Sequence, residues 1–199
     1  MDYENYLNLD KILNAQTPKT TEPLEIMFIV AHQSSELWFK VLIQELTRLI
    51  IVSKDKHPNI ANKPVVLSGY GPDYNPTIQL QRIVKIFEHL TSLWDIIATI
   101  TPDEYEKFRD KLGTASGKQS IQYRNVEELL IKLIKRWNYK YKHQLIDIET
   151  IFKKWQFSHM KTVERIIGDK PGTGGTTGVD YLRRKVDSPL RENHQWKGW

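Results

Sequence analysis

Apolar residues recur at helical spacing through most of this chain, whereas the alternation expected of strands is scarce. A stretch from Pro23 to about Val52 is apolar on more than one stripe, which predicts a helix at the centre of the core. A second stretch carries a single stripe and predicts a helix with one buried face. Its apolar positions are Leu80, Ile83, Val84, Phe87, Leu90, Trp94 and Ile97.

Proline and glycine mark the breaks between these helices. Residues 54–76 contain four prolines and two glycines and predict an exposed loop. The run Thr101-Pro102-Asp103-Glu104 predicts a helix start, because a hydroxyl cap, a proline and two carboxylates suit the positive end of a helix, and Gly113 would end that helix.

The second half of the chain predicts two more long helices and a short one. The long helices run from about Ser120 to Trp137 and from about Gln144 to Ile167, where Gly168 ends the second. A glycine-dense loop at 172–178, a short helix over Tyr181–Arg184 and a loose tail at 188–199 follow. The expected fold class is therefore all-α, a helical bundle forming a single domain over 1–199.

Composition narrows the chemistry available to the chain. It has no cysteine, so a disulfide framework, a thiolate metal site and a cysteine nucleophile are excluded. The net charge is +5, but lysines are interspersed with glutamates and no nucleic-acid-binding motif appears, so no nucleic-acid partner is expected. The first residues lack the pattern of a secretory signal, and charged residues interrupt the apolar stretches. We therefore expect a cytoplasmic protein without membrane insertion.

Four residues on predicted helices are candidates for chemistry. His32 lies one turn after Phe28, and His159 lies on the apolar face of a long helix; either one alone is more often a structural core histidine. Together, two histidines on different helices suit a haem pocket, where one binds iron and the other faces the ligand. Tyr105 and Arg109 are one turn apart and can converge on a carboxylate, although the spacing alone favours an ordinary surface pair.

Other features receive no catalytic interpretation. The glycine loop lacks the lysine and the strand–helix context of a phosphate-binding loop. The basic runs Lys132–Lys142 and Arg183–Lys185 are interpreted as solvated faces. Four further histidines stand outside any ligand-like spacing: His57, His89, His143 and His194.

Four longer motifs carry a resemblance to a known family. In chain order they are YENYLNLDKIL, FIVAHQSSELWFK, LWDIIATITPDEYEKFRDKLGTASG and HMKTVERIIGDKPGTGGTTGVDYL. In this combination the chain closely resembles the tryptophan 2,3-dioxygenases, from Tyr3 to about Arg184. The resemblance implies an all-helical haem b enzyme that is a homo-oligomer, a dimer or a tetramer.

The resemblance also implies roles for single residues. His159 would be the axial ligand of the haem iron, and His32 the distal histidine that meets the indole N–H of the substrate. Phe28 would line the distal pocket. Arg109 and Tyr105 would hold the substrate carboxylate, and Thr173 its ammonium and carboxylate groups. These groups suit the task, since the charged ends of a buried amino acid must be paired.

Further residues match wall positions of the family's pocket. The segment 1–20 would contact a neighbouring subunit, where Tyr3, Tyr6 and Leu7 would close the indole pocket. Ser116 and Gly117 fall where the family's chain passes close to the bound gas and the haem edge. The remaining wall positions are Trp94, Leu112 and Tyr123.

This chain departs from the family in three places. A long helical insertion that family members carry before the haem-ligand helix is missing, which puts the tetramer and the substrate cover in doubt. Lys118 stands where the family usually has an apolar aromatic residue; it either pairs with a haem propionate or points to solvent. The loop at 54–76 also looks longer than its family equivalent.

The resemblance and these departures leave three candidate functions. The first is dioxygenation of L-tryptophan or a close analogue, in which O2 adds across the indole C2–C3 bond to give N-formylkynurenine. The second is a haem-dependent monooxygenase acting on an indole or aromatic amino acid in a biosynthetic pathway, which the missing insertion and Lys118 motivate. The third is a non-catalytic haem or gas-binding module, against which the carboxylate-binding residues argue.

Overall fold

The computed structural model describes residues 2–54, 75–136 and 141–190, and these fold into helices without strands. The all-α prediction is confirmed. The helices are α1 Tyr3–Leu7, α2 Leu9–Leu13, α3 Pro23–Lys54, α4 Pro76–Ile97, α5 Pro102–Arg109, α6 Ile121–Arg136, α7 Lys142–Ile167 and α8 Val179–Asp187. Two 3₁₀ turns, Asp110–Leu112 and Gly117–Gln119, connect α5 to α6.

The four long helices α3, α4, α6 and α7 build the core. Helix α4 packs against α7 and α3, α6 packs against α3, and α8 packs on α7. Burial of their apolar faces is the main force that holds the bundle together. The stripe predicted on α4 is buried, except Val84, which is half-buried; its innermost members are fully enclosed: Leu80, Ile83, Phe87 and Leu90.

The predicted helix ends are found at the expected residues. Thr101 and Glu104 form a capping box at the start of α5, each side chain bonding the other's backbone N–H. Gly168 ends α7 with φ +56°, a left-handed conformation that favours glycine. Gly113, with φ +58°, ends the 3₁₀ turn that extends α5.

The predicted loose tail is wrong for its first residues. Leu190 is buried, and the Lys153 ammonium group donates hydrogen bonds to the backbone carbonyls of Lys185 and Ser188. These bonds satisfy carbonyls in the last turn of α8 and at its C-cap, and the helix, Val179–Asp187, is longer at both ends than the predicted Tyr181–Arg184. The remainder of the tail, 191–199, lies outside the described residues.

Two other predictions need correction or fall outside the structure. The basic runs are not simply solvated, because Lys142 is buried and the Lys185 ammonium group donates to the Glu127 carboxylate at 2.8 Å. Of the predicted loop 54–76, Lys54 belongs to α3, Asn75 caps α4 and Pro76 begins it. Residues 55–74 lie outside the described part of the chain.

The N-terminal segment lies on the outside of the bundle. Neither α1 nor α2 has a buried residue, and both were too short to be predicted. The chain joins the bundle through Glu25, whose carboxylate accepts hydrogen bonds from the backbone N–H groups of Lys19 and Thr20, both at 2.7 Å.

Helix α3 is also unusually exposed for a central helix. By length and composition alone, Pro23–Ile51 could cross a membrane, a test that core helices of soluble proteins also pass; only 17% of its most apolar window is buried. The helix packs against α4 and α6 and carries His32 inward, so it is part of the bundle.

Candidate functional site

Two adjoining cavities open between α3, α4, α7 and α8, with volumes of about 150 and 120 Å³. They share part of their walls, so a ligand that spans them must lie against the shared side chains. Both cavities are lined by His32, Trp94, Gly117, Lys118, His159, Tyr181 and Leu182.

His32 is oriented by its own helix. Its Nδ1 lies 2.7 Å from the Phe28 carbonyl oxygen, and its ring is 4.2 Å from the Phe28 ring, centroid to centroid. Because a carbonyl can only accept, Nδ1 carries the proton and Nε2 of the neutral ring is an acceptor. Burial lowers the pKa of His32, against smaller opposing effects of the Phe28 carbonyl and Glu36, so the ring is neutral at pH 7.

His159 has no hydrogen-bond partner within residues 2–54, 75–136 and 141–190. It stacks on the Trp94 indole with centroids 4.3 Å apart and an interplanar angle of 9°. Protein atoms surround it, and the surface it keeps faces the cavities. Burial, helped by the charge of a protonated His32, lowers the pKa of His159 to about 3. A neutral, half-buried imidazole whose nitrogens make no hydrogen bond within the described residues is chemically a free metal ligand.

The described residues suit a metal ion that is coordinated mainly by a cofactor and needs few protein ligands. They contain no group of three His, Cys, Asp or Glu side chains able to hold a metal ion. A haem needs only one axial protein ligand, which His159 can supply. Aromatic side chains form the adjoining walls, and the indole N–H groups of Trp94 and Trp155 are buried without an acceptor in the described part of the chain. Such walls suit a flat apolar ring system.

Arg109 is the cation at the far end of the first cavity. Its Nη2 donates to the Pro171 carbonyl at 2.7 Å, and its Nη1 lies 4.0 Å from a Glu106 carboxylate oxygen. Its Nε is buried and has no hydrogen-bond partner among the residues that the structure describes. Tyr105, one turn earlier, is buried beside it, and burial raises the pKa of its phenol. A phenol and an incompletely bonded guanidinium can together receive a carboxylate.

The glycine loop closes the same end of the cavity. The Thr173 hydroxyl donates to the Ala115 carbonyl at 2.5 Å. A Cβ added to Gly174 would stand 2.5 Å from the Ser116 Cβ, so only glycine permits this close approach. The loop thereby lies directly against the segment 115–117.

A polar network borders the second cavity. The Gln156 amide donates to the Tyr123 hydroxyl at 3.0 Å, and that hydroxyl donates to Glu127 at 3.3 Å. Burial and the Glu127 carboxylate raise the pKa of Tyr123, which therefore stays protonated. Lys185 neutralises Glu127 from the opposite side.

The structure brings most of the predicted site residues together, and their roles remain predictions. Tyr123 lines the second cavity. Tyr3, Tyr6 and Leu7 lie on α1 and line neither cavity; the first two are 72% and 70% exposed. Lining the first cavity are Phe28, His32, Trp94, Tyr105, Arg109, Leu112, Ser116, Gly117, His159 and Thr173.

Sequence reasoning missed parts of the wall on α3, α7 and α8. On α7, spacing from His159 could have found Thr162, Val163 and Ile166. The face of α8 carried no comparable signal because its basic residues suggested solvent. The missed residues of α3 and α8 are Ser35, Glu36, Phe39, Tyr181, Leu182 and Lys185.

The fold and the cavities define an all-α protein with two adjoining internal cavities lined by histidine and aromatic side chains. The family model described as tryptophan 2,3-dioxygenase matches residues 1–145 and 135–191. Three similar proteins carry the name tryptophan 2,3-dioxygenase. One from Bradyrhizobium sp. is 32% identical over 96% of this chain and 89% of its own. Another from Pseudomonas aeruginosa is 32% identical over 96% of this chain and 86% of the relative's length. A third, from Bacillus thuringiensis, is 33% identical over 94% of this chain and 88% of the relative's length.

The chain therefore belongs to the tryptophan 2,3-dioxygenase family, as its motifs predicted, and it is a haem-dependent oxygenase enzyme of that family. The alignment with the Bradyrhizobium protein covers 265 positions, and this chain has 199 residues, so at least 66 positions have no counterpart here. The family model matches this chain in two segments, which overlap at residues 135–145. This overlap includes the connection from α6 to α7, where the sequence predicts the missing insertion.

Proposed function

We propose that the chain binds haem b through His159 and dioxygenates L-tryptophan or a close analogue to N-formylkynurenine. The observation that carries the proposal is the half-buried, neutral imidazole of His159, which has no hydrogen-bond partner among the described residues and lines a cavity shared with His32 and Arg109. When bound, the haem iron supplies the activation of O2. Both oxygen atoms enter the substrate, the indole C2–C3 bond breaks and two carbonyl groups form, so no external reductant is needed.

The protein's part begins with binding the amino-acid end of the substrate. Arg109 and Tyr105 receive the carboxylate, and Thr173 serves the carboxylate and the ammonium group. The buried Nε of Arg109 has no partner within the described chain, so the guanidinium retains a donor to offer. The attraction between the carboxylate and the guanidinium is stronger inside the cavity than in water. It also fixes which end of the substrate lies near His32.

His32 orients the indole. With Nδ1 donating to the Phe28 carbonyl, the free Nε2 accepts a hydrogen bond from the indole N–H. Phe28, Trp94 and Leu112 enclose the ring and exclude water from it.

A second copy of the chain completes the site in this proposal. Tyr3 and Tyr6 are strongly exposed and Leu7 half-buried on a helix without buried residues, so they are free to cover the indole pocket of a neighbour. Helix α3 also exposes apolar residues toward the outside: Ile26, Val30, Leu37 and Trp38. These exposures support a homo-oligomer, a dimer or tetramer, as the active form.

A monooxygenase acting on an indole or aromatic amino acid is the second candidate. It is favoured by the positions absent from this chain and by Lys118, a cation in a wall where the family has an aromatic residue. A haem or gas-binding module without turnover ranks third, because a carboxylate-binding arginine has no use there.

The test begins with absorption spectra of the purified protein, with and without L-tryptophan. Replacing His159 with alanine should abolish stoichiometric haem binding, whereas His89→Ala, an exposed histidine on α4, should retain it. A variant lacking His159 with an unchanged haem spectrum would show that the ligand assignment is wrong.

Turnover with isotopically labelled O2 then separates the candidates. Two labelled atoms in one product support the dioxygenase, and one labelled atom supports the monooxygenase. No product from any indole substrate leaves only the binding module. Arg109→Leu should weaken substrate binding about 10- to 100-fold while haem loading is retained, since the carboxylate loses a charge-assisted partner.

A further inference from the structure

Lys118 is the one cation in the cavity walls without an acidic partner in the described part of the chain. Arg109 lies near Glu106 and donates to the Pro171 carbonyl, and Lys185 pairs with Glu127. The Lys118 ammonium group lies over the face of the Tyr181 ring, 5.8 Å from its centroid, and forms no ion pair within the described residues.

Lys118 also has an unusual position, because it lines both cavities and is exposed at their mouth. Its backbone is fixed from two sides: its N–H donates to the Ser116 hydroxyl, and the Arg124 guanidinium donates to its carbonyl, both at 3.4 Å. Because the backbone of Lys118 is held in place, its long side chain can reach the mouth of either cavity.

We propose that Lys118 binds a propionate carboxylate of the haem, a contact that the aromatic residue of other family members cannot make. The inference rests on the proposed haem binding. Haem b carries its two carboxylates on one edge, and an amino-acid substrate carries one. Arg109, with Tyr105 and Thr173, takes the substrate carboxylate, and Glu127 already neutralises Lys185. Lys118 is the remaining positive charge, at the solvent boundary where the charged edge of an otherwise apolar ring belongs.

The experiment compares two cofactors in three proteins. Wild type, Lys118→Leu and the matched control Lys111→Leu, an exposed lysine that lines neither cavity, are loaded with haem b or with its dimethyl ester, in which both carboxylates are uncharged. The rate of cofactor loss to excess apomyoglobin is followed by Soret absorbance, a measurement independent of turnover.

We expect Lys118→Leu to lose haem b roughly tenfold faster than wild type, the effect of one charge-assisted hydrogen bond at a partly solvated site. Loss of the dimethyl ester should be unchanged, Lys111→Leu should behave as wild type, and Lys118→Arg should restore slow loss of haem b. Added salt should narrow the difference between wild type and Lys118→Leu.

Other results would overturn the assignment. Equal haem loss from wild type and Lys118→Leu means that Lys118 does not hold the cofactor, and equally faster loss of both cofactors means that it only supports the wall. Unchanged haem loss with weaker substrate binding assigns the lysine to a second anionic group on the substrate. If wild type itself takes up no haem, the proposed function fails, and the inference fails with it.

Discussion

The carboxylate of Glu25 anchors the N-terminal segment to α3, and its removal should have a large, local effect. The side chain is 1% exposed. One oxygen accepts from the Lys19 N–H at 2.7 Å; the other accepts from the Thr20 N–H at 2.7 Å and from the Thr20 hydroxyl at 2.6 Å. In Glu25→Gln one of these oxygens becomes an NH2 group, which cannot accept.

The magnitude follows from what is lost. A hydrogen bond to a charged group contributes about 1.5–3 kcal/mol, and a buried donor left unpaired costs about 1–3 kcal/mol. Since the amide keeps one acceptor, we expect Glu25→Gln to lower the free energy of unfolding by about 2–4 kcal/mol at pH 7. Burial by itself raises the pKa of Glu25, but the bonds from Lys19 and Thr20 outweigh it and the net pKa is lowered. The stabilisation is therefore present above the unfolded-state pKa and is lost as pH falls through the lower folded-state pKa.

Urea unfolding measures the loss, and hydrogen exchange locates it at the amides of Lys19 and Thr20. The matched control is Glu22→Gln, three residues earlier. Within the described residues the one ion pair of Glu22 is with Lys107, at 3.9 Å and open to solvent, so the substitution should change stability by less than about 0.5 kcal/mol. If Glu25→Gln is as stable as this control and both amides stay protected, the anchoring role is wrong.

Three further predictions concern the core, the glycine loop and acid stability. Phe152 is fully buried against Phe87 and Trp155, so Phe152→Ala should lower the free energy of unfolding by about 3–5 kcal/mol; a urea midpoint equal to that of wild type would contradict this packing. Gly174→Ala places its Cβ against Ser116 and should weaken substrate binding at least about tenfold by displacing Thr173, while the helix content in circular dichroism stays constant. The folded pKa of His159 lies below its unfolded value, so the cofactor-free protein should lose stability as pH falls from about 6.5 toward 3, by about 2 kcal/mol from this histidine at pH 5. An equal loss between pH 7 and 5 in His159→Gln would refute that attribution.

Sequence periodicity was sufficient for the long helices because their core faces are wide and their ends carry local signals. Thr101, Pro102 and Gly168 act within one turn of the chain, so their effects can be inferred from neighbours in sequence. The five-residue helices α1 and α2 are too short to show a period. The end of α8 depends on Lys153, more than thirty residues away, and no local pattern contains that contact.

The candidate site also has a part that sequence spacing predicts and a part that depends on how the helices pack. His159 and the α7 residues one and two turns beyond it share a face by spacing alone. That this face meets α3, and that Trp94 stacks on His159, depends on how the helices pack. The role expected of Tyr3 and Tyr6 involves a second copy of the chain, which the sequence of one copy does not position.

The shallow attachment of α8 has a consequence for when the site can be filled. Tyr181, Leu182 and Lys185 complete the walls of the cavities, yet no residue of α8 is buried. In the finished protein, local unfolding of α8 exposes less apolar surface than unfolding of any long helix. The rate at which α8 detaches should therefore limit how fast a large ligand enters or leaves.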